Sequence, residues 1–295
     1  MDQRQVDTTD MMPAAAFAAR ASGAADQRLA LLVSTLVADL ARLAEEHRLG
    51  RDELRRVIGF LSEVGEACSD QRQEWVLLAD ALGLTSTVER LVTRRPAPAT
   101  PNTLIGPFYR KGAPERADGE SICLDGAGEP LLFTAEVVDL DEAPLPGALV
   151  EVWHANADGL YENQAPDAQP EYNLRGAYRS GPDGTVRIRT IRPGGYSIPD
   201  DGPVGHLLAQ LGMSPERPAH LHFRVSAPGY QTLTTHLFDK SDPAIGSDPL
   251  FAVHPALVAE MSPHPEGGLA ASFRFVLARQ MPAAGHDQTQ GGVRT

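Results

Sequence analysis

Hydrophobic positions change their spacing once along this chain, close to residue 100. Before that point they recur every three or four residues. Leu29, Leu32, Leu36, Leu40 and Leu43 form one row, ended at Gly50. That is the period of an α-helix with one apolar face. Leu54, Val57, Ile58, Leu61 and Val64 form a second row. Trp75, Leu78, Ala79 and Leu82 predict a shorter third helix, stopped at Gly83. Val88, Leu91 and Val92 predict a fourth, opened by a capping box from Ser86 to Glu89. The run Pro96-Ala-Pro98-Ala-Thr-Pro101 then breaks the pattern, because the residue before a proline is pushed out of helix.

Beyond this linker the apolar residues fall into short runs separated by Gly, Pro, Asp and Asn. They predict strands over Leu131–Asp139, Ala148–Ala155, Val186–Thr190, His220–Ser226, Thr232–Phe238 and Phe273–Ala278. Turn signals such as Gly181-Pro-Asp-Gly184 and Ala227-Pro-Gly229 lie between them. Short strands joined by loops of uneven length fit a β-sandwich. The predicted fold class is α+β, mainly β. Residues 1–25, rich in Ala, Asp and Gln without a clear period, read as a flexible N-terminal arm. Residues 26–101 read as a helical domain, 102–280 as a β-sandwich domain and 281–295 as a flexible C-terminal tail.

Composition narrows the picture only a little. The 295 residues can bury a real core, and 42% apolar with 22% charged residues is ordinary globular usage. No apolar run is long enough to span a membrane. Early acidic residues (Asp2, Asp7, Asp10) do not resemble a secretory signal. Cys68 and Cys123 stand in different segments, as in a reduced cytoplasmic protein. A net charge of −13 argues against a nucleic-acid partner, which needs clustered Lys and Arg; the pair Arg94–Arg95 is too short to change that.

The sharpest local feature is Pro218-Ala-His220-Leu-His222-Phe223. Residues two apart in a strand share a face, so His220 and His222 would present both imidazoles to one side. Leu221 and Phe223 would face the apolar interior. The pair reads either as two metal ligands or as two surface histidines. No cysteine lies nearby, and Glu216 makes no facial-triad spacing. Two tyrosines sit in loops expected at strand ends. Tyr161 follows Trp153-His-Ala-Asn-Ala-Asp-Gly-Leu, and Tyr196 follows Arg192-Pro-Gly-Gly195. Gly194 and Gly195 would let the backbone turn sharply there. Each tyrosine alone reads as well for packing as for ligation.

Five stretches taken together resemble the intradiol ring-cleaving dioxygenases, specifically the catechol 1,2-dioxygenase group. They are Thr103-Leu-Ile-Gly-Pro-Phe-Tyr109, Leu145-Pro-Gly-Ala-Leu-Val-Glu-Val-Trp-His-Ala-Asn156, Gly159-Leu-Tyr161, Arg192-Pro-Gly-Gly-Tyr196 and Arg217-Pro-Ala-His-Leu-His-Phe223. The stretches Tyr196–Gly205, Thr235-His-Leu-Phe238 and Ser247-Asp-Pro-Leu-Phe251 look most like the hydroxyquinol 1,2-dioxygenase branch.

The resemblance implies one non-haem Fe(III) per subunit. Its ligands would be Tyr161 and His220 equatorially, and Tyr196 and His222 axially, at one end of the sandwich. Phenolates suit a hard ferric ion, and their charge transfer would colour the protein burgundy-red. The expected reaction joins both atoms of O2 across the bond between two hydroxylated ring carbons of an aromatic 1,2-diol. For hydroxyquinol the product would be 3-hydroxy-cis,cis-muconate or maleylacetate. Arg217 would stabilise charge developing on the ring; without the resemblance it reads as half of a salt bridge. Leu77, Asp80, Ile105, Gly106, Pro107, Ile198 and Pro199 would line the substrate pocket. Asp80 could accept a hydrogen bond from a third ring hydroxyl, or be a plain helix-surface aspartate. His236 stands where the catechol enzymes carry a Gln, as a substrate contact or as strand packing. The helical part would form a homodimer and enclose an amphipathic lipid, although the same apolar rows also suit helices that merely cap a sandwich. Catechol or chlorocatechol cleavage is the rival within the enzyme class. A non-catalytic transthyretin-like binding module is the rival outside it.

Overall fold

The computed structural model describes residues 12–280 apart from 71 and 94. The early acidic residues, Arg94 and the 281–295 tail fall outside the described residues. The chain divides into two compact units, residues 1–66 and 67–295.

The first unit is helical: α1 (Pro13–Ala21), α2 (Gln27–Glu46) and α3 (Arg51–Glu66). Helix α1 packs along α2 and occupies part of the stretch read from sequence as a loose arm. Its alanines favour helix, and Pro13 sits at its first turn, where a missing N–H costs nothing. Asp26 caps α2 by accepting a hydrogen bond from the Leu29 amide at 2.9 Å. The leucine row of α2 does form one face, but that face is exposed: Leu36 is 57% accessible, and no residue of α2 is buried.

The second unit opens with α4 (Glu74–Ala81) and α5 (Leu84–Val92). Gly83, at φ 69°, both ends α4 and precedes α5. Helix α5 therefore starts earlier than its sequence suggests, and Ser86 lies inside it rather than at a capping box. The buried Ser86 hydroxyl instead donates to the Leu250 carbonyl at 2.8 Å.

The remaining strands are β1 (Pro130–Asp139), β2 (Leu149–Trp153), β3 (Arg175–Arg179), β4 (Thr185–Ile191), β5 (Tyr196–Ser197), β6 (Glu216–Arg217), β7 (His220–Ser226), β8 (Leu233–Asp239), β9 (Val258–Ala259), β10 (Ser262–Pro263) and β11 (Leu269–Leu277). Helix α6 (Pro203–Gln210) lies between β5 and β6. One sheet has the order β10-β11-β1-β4, the other β3-β2-β7-β8-β9. Strand β1 pairs parallel with β11, from Leu131↔Leu269 to Asp139↔Leu277. The two sheets close over one apolar core, in which Phe133, Val150, Leu221, Phe223 and Phe275 are at most 1% exposed. Among the described residues no helix is long and apolar enough to cross a membrane, and neither Cys68 nor Cys123 forms a disulfide.

Candidate active site

Alternation along β7 decides where the site lies. Leu221 and Phe223 point into the core, so His220 and His222 project from the opposite face of the five-stranded sheet. That face is covered: both histidines are 2% exposed. The site thus sits against the outer face of a sheet, beneath loops, rather than at an end of the sandwich.

Register brings further side chains to the same row. Trp153 on β2 and His236 on β8 lie directly opposite His222. The Trp153 ring stacks on the His222 ring at 4.8 Å and 10°, and His236 approaches from the other side at 4.3 Å. Ligand atoms of His220, His222 and His236 lie within 4.8 Å of one another, and all three residues are buried.

Two loops bring the tyrosines over this row. Tyr161 is 1% exposed, and its hydroxyl is 3.0 Å from His222 Nε2. Phe108 stacks on that phenol ring at 4.2 Å. Tyr196 is only half-buried; its ring is 5.8 Å from Tyr161 and 5.5 Å from His220. The loops interlock through glycines. A Cβ on Gly159, at φ 80°, would meet the Gly195 carbonyl at 2.4 Å and Tyr196 Cβ at 2.9 Å. A Cβ on Gly194 would meet the Ala157 carbonyl at 2.4 Å. Gly194 and Gly195 are not in the left-handed region, so close packing, not a sharp turn, is what requires them. Gly106, at φ 74°, likewise brings backbone against His222, whose Cε1 would be 3.2 Å from an added Cβ.

Arg217 faces Tyr196 across the small β5–β6 ribbon. Its Nη1 donates to the Tyr196 hydroxyl at 3.2 Å and approaches His220 Nε2 at 3.5 Å. Its Nε donates to the buried Asp248 carboxylate at 3.1 Å. Burial opposes its charge, yet Tyr196 and Asp248 hold its pKa above the ordinary arginine value. The salt bridge expected of Arg217 is thus formed, with Asp248 and not with the neighbouring Glu216, which accepts from Ser197.

Burial pushes the pKa values of His220, His222 and His236 well below the usual histidine range, so all three are neutral. His220 Nδ1 donates to the Pro218 carbonyl at 2.7 Å, which leaves a lone pair on Nε2. Burial likewise pushes the Tyr161 phenol upward, so it ionises only beside a strong cation. Two phenol oxygens and two imidazole nitrogens therefore converge, and hard oxygen with neutral nitrogen is a donor set that fits ferric iron.

The pocket residues read from sequence are less tightly grouped. Asp80 and Leu77 lie one turn apart on α4 and are half-buried. Burial raises the Asp80 pKa against a hydrogen bond from Thr85 and the nearby Arg217 charge, and its Oδ1 has no partner. Ile105 and Pro107 flank Gly106 and are exposed. Ile198 is buried and Pro199 exposed, just beyond Tyr196.

Sequence reading assigned no role to Trp153, Phe108, Thr103 or Asp248. Thr103 Oγ1 lies 2.5 Å from His236 Nδ1. Nor did it single out Glu162 and Arg175, a buried ion pair at 2.7 Å. The Arg175 guanidinium lies 5.7 Å from the Tyr161 ring and donates to the Phe108 carbonyl at 2.6 Å. Strand alternation could have aligned Trp153, His222 and His236, had the register been known.

Two family models match the chain: "Catechol dioxygenase N terminus" over residues 26–100 and "Dioxygenase" over residues 104–279. A hydroxyquinol 1,2-dioxygenase of a Rhizobium species is 44% identical over 80% of this chain and 80% of its own length. A 6-chlorohydroxyquinol 1,2-dioxygenase of Cupriavidus pinatubonensis is 39% identical, over 89% of this chain and 95% of its own. Among solved structures, a hydroxyquinol 1,2-dioxygenase of Pseudomonas putida superposes with a TM-score of 0.88 at 35% identity, covering 90% of this chain and 97% of that one.

Proposed function

The chain belongs to the catechol dioxygenase family of intradiol ring-cleaving enzymes, and from that premise we propose that it opens hydroxyquinol between its two adjacent hydroxylated carbons. The observation that carries the reading is the convergence of Tyr161, Tyr196, His220 and His222 on one buried point. These four residues hold one Fe(III) per subunit. When bound, the ferric ion supplies the Lewis acidity that ionises phenol and diol hydroxyls and makes the electron-rich ring reactive toward O2.

The protein's own groups do the rest. Tyr161, its ring stacked on Phe108 and its oxygen beside His222, is the fixed phenolate. Tyr196 is more exposed, and its oxygen already accepts from Arg217. It is placed to take a proton from the incoming diol. Arg217 Nη2 is buried without a partner, and a buried donor of this kind stabilises negative charge as it develops on the ring. Asp80 distinguishes the substrate, its unpartnered Oδ1 accepting a hydrogen bond from the third hydroxyl, which catechol lacks. The subunits pair through the exposed apolar rows of α2 and α3, a surface that also suits an amphipathic lipid. Two cysteines outside any disulfide fit a reducing cytoplasm.

The test combines metal analysis, the visible spectrum and turnover. The purified protein is expected to hold iron, absorb as a red tyrosinate complex and cleave hydroxyquinol faster than catechol. Tyr161→Phe and His220→Ala are expected to lose iron and colour. Arg217→Ala is expected to keep iron and lose roughly 100-fold or more in turnover. A colourless, iron-free wild type sinks the reading.

A further inference from the structure

Arg217 is a buried cation with three kinds of nitrogen, and each has a different surrounding. Nη1 serves Tyr196 and His220. Nη2 has no partner. Nε is held by Asp248, whose side chain is 2% exposed. Asp248 is itself fixed. Its Oδ2 accepts the Ala252 amide at 2.9 Å, and its backbone carbonyl accepts the Phe251 amide at 3.1 Å. Two residues on, the Leu250 carbonyl is tied to α5 by Ser86. The loop is therefore anchored at both of its sides, and one carboxylate oxygen is committed to the guanidinium.

A guanidinium is planar, so anchoring Nε fixes the plane and with it the directions of both Nη groups. Without that anchor, two torsions of the side chain become free to swing the Nη groups off the reacting ring. A displacement of about 1 Å in a positioning group can cost on the order of 100-fold in rate.

We propose that Asp248 is a positioning residue for ring opening: it holds Arg217 by Nε so that Nη1 stays on the Tyr196 oxygen and Nη2 stays free for the substrate. This rests on the functional reading above. Asp248 touches neither the ligand set nor the substrate and acts through Arg217 alone.

Asp248→Asn separates this role from loop structure. The asparagine oxygen can still accept the Ala252 amide, while its amide nitrogen then faces Nε, donor against donor. Expected are a kcat lower by roughly 10- to 100-fold and a KM for hydroxyquinol within about threefold of wild type. Iron per chain, the visible band of the resting enzyme and the melting temperature should be close to wild type. In an Arg217→Ala background the same change should cost less than about twofold, since residues acting as a unit are not additive. Unchanged kcat, additive losses, or iron lost together with activity overturn the proposal. If Asp248→Asn fails to fold, Asp248→Glu carries the test: it keeps the charge but displaces it, and wild-type kcat at full iron overturns the proposal equally. A wild type that holds no iron or leaves hydroxyquinol intact overturns the functional reading and this proposal with it. An active wild type beside an indifferent Asp248→Asn overturns this proposal alone.

Discussion

Neutral imidazoles are kept neutral here by burial, and that has a measurable consequence at a fourth histidine, one that is not among the ligands. His154 donates from Nδ1 to the Ala155 carbonyl at 2.7 Å, and its Nε2 lies 2.6 Å from the Thr190 hydroxyl. Burial lowers its pKa to about 4, against an ordinary 6.5. The unfolded chain therefore binds a proton that the folded chain refuses between those values. The stability this group contributes is present above pH 6.5 and lost as pH falls toward 4. The advantage of wild type over His154→Gln is expected to shrink by on the order of 3 kcal/mol from pH 7 to pH 4. Urea midpoints at the two pH values read it, and a constant gap would place the proton elsewhere. At Asp80 the expected outcome concerns choice rather than stability. Asp80→Ala should lower hydroxyquinol turnover relative to catechol by roughly 10-fold or more. An unchanged ratio would return Asp80 to an ordinary helix aspartate. Residue by residue, the histidine pair was legible because a two-residue period says which side chains share a face. The supporting residues were not, because Asp248 and Arg217 are partners across 31 positions and no local pattern joins them.

At the scale of elements, the site depends on two loops that pack as one. Gly159 and Gly194 allow backbone to touch backbone between them, so Tyr161 and Tyr196 cannot be displaced independently. Gly159→Ala forces a Cβ to 2.4 Å from a carbonyl and strains a left-handed φ. It is expected to destabilise by about 2 kcal/mol or more and to reduce the iron bound by both tyrosines. Thermal melts and metal content measure it; wild-type values in both would mean that the loops yield separately. Strands whose alternation is strong, β1, β4 and β7, were readable almost to the residue. Strand β3, Arg-Gly-Ala-Tyr-Arg, was missed because its ends are charged and a glycine interrupts it. Helix α6 was missed because eight residues give too little period to see. The tyrosine loops were recognised through family resemblance, since glycine-rich connections look alike whatever they carry.

For the whole molecule, the apolar rows of α2 and α3 are a large exposed hydrophobic surface. Leucines that read from sequence as helix-packing positions stand 46–57% accessible along α2. If subunits pair through them, Leu36→Glu should convert a dimer to a monomer in sedimentation. A monomeric wild type would remove that part of the proposal.

The parallel pairing of β1 with β11 carries a consequence for how the polypeptide is made. The sheet that bears the histidines has its last strand by residue 259, whereas the sheet that covers its apolar side, begun with β1 and β4, is completed only by residues 269–277. A nascent chain stalled between those points has Phe133 to set against Phe223 but still lacks Phe275, which packs on the same ring at 4.9 Å. Shortening the gene from its 3′ end should therefore be tolerated down to the codons of β11. Within them, soluble protein should disappear abruptly rather than by degrees.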